Sequence, residues 1–406
     1  MFNFDYSYLS LPNRFYSITK TNLFPKPEVI LLNKKLCNKL NLFIHNKDDL
    51  ATSLLGEIKY NKSFSQAYAG HQFGHFTKLG DGRAIVVGEH VTKNKQRFDV
   101  QLKGSGRTIY SRSGDGKATL KAMLREYLIS EAMYYLNIPS SRSLTVIKTG
   151  EHIYRKTTQE GGVLARIMKS YIRVGTFEYA SYFCSKDDLK ILTSYTINRL
   201  YPEINEDENP PLALLNKVME NQIDLIVNWM RVGFIHGVMN TDNTSITGEA
   251  FDYGPCAFLN TYNPETTYSS IDYNKRYAFG NQPKIIKWNI SRFAESLLPI
   301  IHHDKKKSLQ LAQSIIDQFD KLWKKKYYSI MLKKIGIKSN DKMLYPLVDE
   351  LLDFMKRNNK EYNNTFYSLS KEDCYKNGLM NDSEFRRWKK KWQDNIDEIS
   401  SINQAK

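Results

Sequence analysis

Two short polar stretches near the middle of this 406-residue chain carry the residue types that chemistry on a metal-bound phosphate requires. His236-Gly237-Val238-Met239-Asn240-Thr241-Asp242-Asn243 ends in a carboxylate beside a carboxamide, and Asp252-Tyr253-Gly254 supplies a second carboxylate shortly afterwards. Carboxylate and carboxamide oxygens are hard donors suited to Mg²⁺ or Mn²⁺, and such an ion neutralises nucleotide phosphates. Taken singly, Asp242 reads equally well as a turn-former, Asn243 as an Asx-turn and Asp252 as a loop cap. Their order along the chain gives them more weight than any one has alone.

That order is the one protein kinases use, H-R-D-x-x-x-x-N followed by D-F-G. His236 and Asn243 fall on the kinase His and metal-binding Asn, whereas Val238 occupies the place of the kinase base. A valine takes no proton, so Asp242 is the carboxylate left on this loop to accept one from an attacking hydroxyl.

Several elements must position these groups. Leu79-Gly80-Asp81-Gly82-Arg83 leads into the β-branched run Ala84–Gly88, a loop and strand in which Gly80 and Gly82 let backbone approach a ligand. Phe98-Asp99-Val100-Gln101-Leu102-Lys103 alternates as a strand and ends in a lysine, as does the kinase strand whose Lys meets phosphates and a helix Glu. Gly104–Arg107 and Gly114-Asp115-Gly116-Lys117 read either as phosphate-cradling loops or as hairpin turns. Residues 118–136 form a helix with Leu120, Leu124, Tyr127, Leu128 and Tyr135 on one stripe. Of its two candidate partners for Lys103, the helical wheel favours Glu131 over Glu126. Arg166 lies inside an apolar run and must face an anion or carboxylate; Arg173 follows it, and an internal salt bridge and a phosphate are equal readings for both. A helix over 211–232 delivers the chain to His236, and Ala250–Asp252 reads as a short strand. His71 and His75 are four apart, but Gly70 and Gly74 break the helix that would align them as metal ligands.

The fold class expected is α+β and bilobal, protein-kinase-like, with a β-rich N-lobe holding one key helix and a helical C-lobe. Residues 1–60 are expected as an extension packing on the N-lobe, 61–178 as that lobe and 179–406 as the C-lobe, with Trp323, Trp388 and Trp392 as packing anchors. A formal charge of +16 favours anionic partners. Much of it lies in runs such as Lys305–Lys307 and Lys324–Lys326, read as solvated helix faces, and no nucleic-acid fold signature accompanies them. Cys37, Cys184, Cys256 and Cys374 have neither zinc nor disulfide spacing. With no signal-peptide pattern and no membrane-length apolar run, a cytoplasmic protein without a membrane partner is expected.

Tyr68-Ala69-Gly70-His71-Gln72-Phe73-Gly74, Leu79–Ala84, Gln101–Arg107, Leu124–Leu128 and His236–Asn243 resemble the selenoprotein O family, and the similarity runs from about residue 60 to 262. The resemblance implies a kinase-like fold that transfers AMP from ATP to Ser, Thr or Tyr hydroxyls of proteins, with UMP transfer using Mn²⁺ also ascribed to the family. It further implies ATP bound in a flipped orientation that presents the α-phosphate. By the same resemblance Gly80, Gly82, Arg83, Lys103, Asp115, Gly116, Arg166 and Arg173 are nucleotide-binding and Asp242 is the proton acceptor. Asn243 and Asp252 are then the ligands of Mg²⁺ or Mn²⁺, and Glu126, against the wheel, pairs with Lys103. Family members extend further, some to a redox-active Cys or selenocysteine, and neither that residue nor the family's C-terminal segment is found before Lys406. The competing readings are a kinase transferring the γ-phosphate and a silent nucleotide-binding scaffold.

Overall fold

The computed structural model describes residues 2–55, 62–370 and 378–399. Cys374 lies outside the described residues. The described part is mixed α and β, sheet-rich early and helical late, as expected.

Eleven strands belong to the first 170 residues: β1 (Phe4–Asp5), β2 (Tyr16–Ile18), β3 (Glu28–Leu32), β4 (Phe64–Gln66), β5 (Ala69–Gln72), β6 (His75–Lys78), β7 (Ala84–Val91), β8 (Arg97–Lys103), β9 (Ala118–Thr119), β10 (Arg142–Tyr154) and β11 (Thr158–Met168). Nine of them make one sheet in the order β2-β4-β7-β8-β11-β10-β3, with β1 on β7 and β9 on β11. All its pairings are antiparallel; β7–β8 and β10–β11 are hairpins of successive strands, and the other neighbours are joined by longer connections. β5 and β6 form a separate hairpin whose Phe73-Gly74 turn has both φ angles positive, the geometry that matches strand twist in a two-residue loop. Val100, Leu102, Val163, Ala165 and Ile167 point to one core face with Leu36, Leu40, Leu50 and Leu54. Alternate residues Gln101, Lys103 and Arg166 are buried too, which is how the strands offer charge to a site.

The chain forms two compact units. One comprises Met1–Val218, Asn240–Gly254 and Asn289–Gln313; the other comprises Met219–Met239, Pro255–Trp288 and Ser314–Lys406. This division is drawn elsewhere than at residues 60 and 178. Strands β1, β2 and β3 are members of the nine-stranded sheet, held by its backbone hydrogen bonds. The opening motif is itself divided between residues 239 and 240.

The helix Leu120–Tyr135 is capped by Thr119, whose hydroxyl accepts from the Ala122 N–H at 3.3 Å. Its buried face corrects the expected stripe. Leu120, Leu124 and Tyr127 are partly buried, whereas Leu128 is 67% exposed and Tyr135 58%. The buried line is Met123, Glu126, Ser130, Glu131 and Met133, because ion pairs satisfy the carboxylates that hydropathy assigns to water. A second correction concerns Ala250–Asp252: only an isolated bridge joins Ala250 to Ser140, and Asp252 has φ +63°, incompatible with a continuing strand.

In the second unit, Trp388 and Trp392 stack at 5.9 Å and donate their indole N–H groups to Leu347 O and Ile335 O, each at 2.8 Å. Trp323 stacks on Tyr327. His236 is buried here, its ring stacked on Trp229 at 5.2 Å and its backbone N–H donated to Gln282 Oε1. No described helix is long and apolar enough to cross a membrane.

Candidate functional site

A cavity of about 750 Å³ in the first unit gathers Gly80, Gly82, Arg83, Asp115, Gly116, Asp242 and Asp252 in its wall. Gly80 has φ +152°, and a Cβ there would meet the Tyr110 ring at 2.2 Å. The missing side chain thus lets Tyr110 close on the loop. Asp115 is gripped by Arg155 through two bonds of 2.8 and 2.9 Å, a bidentate geometry that fixes carboxylate orientation.

The remaining expected residues lie outside that wall. Lys103, only 3% exposed, stands behind it, its Nζ 2.6 Å from Glu126 Oε2 and bonded also to Asp252 Oδ1. Arg166 donates from Nη1 to Glu126 Oε1 at 2.8 Å and from Nε and Nη2 to Gln101 Oε1 at 2.8 and 2.6 Å. Both cations meet one glutamate, which answers the choice on the helix. Glu131 instead accepts from Arg142 Nε and Nη2 and from the Ser143 N–H. Glu126 and Glu131 face different neighbours because five residues turn a helix by about 140°, and both are buried. Arg166 thus makes an internal salt bridge with Glu126.

Arg173 donates from Nη1 to the Asp242 main-chain oxygen at 3.3 Å and from Nε to Tyr171 O at 3.1 Å. Its Nη2 lies 3.6 Å from Asp81 Oδ1, and its guanidinium stacks over Tyr68, 4.1 Å from the ring centre. Asn243 is half-buried at the end of the 3-10 turn Thr241–Asn243, next to Asp242 but outside the cavity wall.

Two aspartates in one cavity are tuned oppositely. Burial pushes the Asp242 carboxyl up to about 6, with Arg173 opposing the rise. Its Oδ1 has no hydrogen-bond partner among the described residues. Burial acts on Asp252 as well, but Lys103, Arg166 and Arg83 together hold its carboxyl well below the usual carboxylate range. Asp242 is therefore poised to exchange a proton near neutrality, and Asp252 stays an anion. Separated proton affinities of this kind mark acid–base sites. The left-handed backbone of Asp252 is a strained conformation of the sort found where a side chain must be aimed.

The donor set fits a divalent ion shared with phosphate. It comprises the Asp252 carboxylate and the Asn243 carboxamide. Among the described residues no three His, Cys, Asp or Glu side chains group as a self-sufficient metal cage. Mg²⁺ characteristically takes one or two protein oxygens and completes its shell with phosphate and water. His71 and His75 do not pair as ligands; His71 Nδ1 lies 2.5 Å from Glu178 Oε1.

Sequence reasoning missed Gln101, Asp81, Arg155 and Gln72. Gln101 shares a face of β8 with Lys103, so strand alternation could have found it. Asp81 lies between the two chosen glycines, and burial pushes its carboxyl up against the opposing pull of Arg173. Arg155, in the turn after β10, carries no signal. Gln72, in the Tyr68–Gly74 string, donates Nε2 to Asp242 Oδ2 at 3.4 Å.

A Lys–Glu pair beside a cavity of nucleotide size, with one aspartate of raised and one of lowered proton affinity in its wall, has the kinase order of parts. The family model described as "Protein adenylyltransferase SelO" matches residues 1–405. A protein of Pelagibacter ubique named "Protein nucleotidyltransferase YdiU" is 49% identical over 398 residues, covering 96% of this chain and 82% of that one. One of the same name from Brevibacillus brevis is 47% identical over 395 residues, covering 96% and 80%. A rhoptry antigen kinase domain of Toxoplasma gondii aligns with 75% of the chain and 90% of its own at 13% identity and a TM-score of 0.31, too low to carry a fold argument. The chain belongs to the SelO family, and by that membership it is a nucleotidyltransferase.

Proposed function

We propose that the protein is a protein adenylyltransferase, transferring AMP from ATP to Ser, Thr or Tyr hydroxyls of acceptor proteins with release of diphosphate. The observation that carries this reading is Asp242: a carboxylate in the cavity wall with one unpartnered oxygen and a proton affinity raised toward neutrality. The acceptor hydroxyl gives its proton to Asp242 as its oxygen bonds to the α-phosphorus, and the bond to the bridging oxygen of the leaving diphosphate breaks. A base poised near the working pH is the efficient choice for such a step.

Arg83 and the Gly80–Gly82 and Asp115–Gly116 loops bind the polyphosphate. Lys103 and Arg173 supply positive charge from behind the wall, and Arg166 holds Glu126 so that Lys103 keeps its place. Asn243 and Asp252 would hold Mg²⁺ or Mn²⁺, which when bound neutralises the phosphate oxygens of the nucleotide. Asp252 suits the role because its carboxyl stays ionised.

The test uses ATP labelled at the α- or the γ-phosphate with Mg²⁺ or Mn²⁺. The expected result is α-label on the chain itself or on an acceptor protein and no γ-label. Transfer of γ-label overturns the reading in favour of a kinase, and nucleotide binding without transfer of either label favours a scaffold. Asp252→Ala is expected to reduce α-labelling to background. Parallel reactions with α-labelled UTP and Mn²⁺ separate AMP from UMP transfer.

A further inference from the structure

The β5–β6 hairpin has no part in the chemistry so far, yet its contacts converge on the loop that carries Asp242. The His71 backbone N–H donates to Thr241 Oγ1 at 2.7 Å, and the Phe73 N–H donates to Asn240 Oδ1 at 3.2 Å. Between them Gln72 Nε2 donates to Asp242 Oδ2. Three consecutive hairpin residues thus grip three consecutive loop residues.

Close approach makes this possible. A Cβ on Gly70 would lie 2.9 Å from Asp242 Oδ1 and 3.1 Å from Asp242 N, and one on Gly175 would lie 2.1 Å from Ala69 O. The other side of the hairpin is anchored by the buried Glu178 of the helix Val174–Phe183, which holds His71 at 2.5 Å. The Phe73-Gly74 turn puts the Phe73 N–H where Asn240 receives it.

We propose that this hairpin is a clamp that sets the position of the Asp242 carboxylate, and that Gln72 is a positioning residue for nucleotidyl transfer. The second half of the proposal rests on the adenylyltransferase reading; the clamp itself does not. Among the described residues Asp242 Oδ1 is buried without a hydrogen-bond partner and lies against Gly70, so the amide of Gln72 on Oδ2 is what the hairpin adds to orient the carboxylate. Gln72 holds Oδ2 and with it the plane of the carboxylate that is to receive the proton.

Two variants of the full chain test it. Gln72→Leu keeps the bulk and removes the amide; it is expected to lower kcat for α-label transfer by about tenfold or more with KM for ATP within about twofold, since misplacement of a reacting group acts on kcat. Its Tm should match the wild type. Gly70→Ala should lower kcat by about a hundredfold. It should also speed backbone amide exchange at Asn243 and Thr244, whose N–H groups bond Asn240 O and Thr241 O, by about tenfold while Val100 and Leu102 exchange as before. An unchanged kcat in Gln72→Leu, or a rise in KM alone, overturns the role of Gln72. Wild-type exchange at Asn243 and Thr244 in Gly70→Ala overturns the clamp. If the wild type transfers no α-label, the adenylyltransferase reading fails and takes the role of Gln72 with it, and the exchange comparison, which needs no turnover, still decides the clamp.

Discussion

The helix Leu120–Tyr135 in the first unit and the helix Tyr345–Arg357 in the second hide opposite kinds of residue. The second buries Leu347, Val348, Leu351, Leu352, Phe354 and Met355, the stripe that apolar burial selects in a helix whose task is support. The first buries two glutamates and a serine beside Met123 and Met133, and leaves Leu128 and Tyr135 in water. Its orientation is chosen by Lys103, Arg166 and Arg142, each bonded to one of those carboxylates. Where an element serves a charged site, ion pairing overrides the hydrophobic wheel, and the fold keeps the charges because each has a partner.

The sharpest way to break this comparison is Glu126→Ala. Lys103 then keeps only Asp252 and Arg166 only Gln101, and an uncompensated buried cation costs about 3–5 kcal/mol. Urea unfolding is expected to show that loss together with loss of α-label transfer. Leu351→Ala, the matching truncation in the other helix, should cost about 2–5 kcal/mol with kcat per folded molecule unchanged. Equal effects of the two variants on kcat would erase the distinction drawn between the helices.

The same distinction explains what was legible in the sequence. Strand alternation found β8 and placed Lys103 at its end, and Gly80, Gly82, Asp115 and Gly116 fell into one cavity because glycine turns announce themselves. Apolar periodicity found the long helices and the tryptophan anchors of the second unit. It failed on Glu126 and Glu131, because the wheel treats carboxylates as solvent-seeking and cannot see cations supplied from strands 11 to 40 residues away. The membership of β1 to β3 in the sheet was hidden for a related reason: their partners lie far along the chain, and short strands carry little pattern. Asp252 lines the cavity with Asp242, but its local backbone is not the strand expected, since a left-handed aspartate leaves no mark on composition.

A smaller effect separates stability from function within the site. The Asp242 carboxyl is raised in the folded protein to about 6 by burial, above its unfolded value. Folding therefore favours the protonated form, and the carboxylate's contribution to stability is fully present below the unfolded value and lost as pH rises through about 6. Asp242→Asn removes that penalty. The nucleotide-free variant should be more stable than the wild type by about 1–3 kcal/mol at pH 7–8. The gain should shrink steadily toward pH 4, as Tm measured across the range will show, while α-label transfer is abolished. A variant less stable than wild type at pH 8 would contradict the assignment of a buried carboxylate with an unpartnered oxygen.

The smallest expected effect tests the wheel itself. On hydropathy alone Leu128 sits in the stripe that should drive the helix against the sheet, and its replacement by a polar residue should be costly. In the structure it is 67% exposed, so most of its surface is in water before and after any substitution. Leu128→Ser should then change stability by no more than about 0.5 kcal/mol, as surface substitutions do, the lower helix propensity of serine accounting for part of that. Met123→Ser, three residues before Glu126 and 2% exposed, should cost several times more, for it removes buried apolar area and puts a hydroxyl among Val146 and Leu164. A ranking of the two in the opposite order would mean that the apolar stripe, and not the ion pairs of Glu126 and Glu131, holds this helix in register.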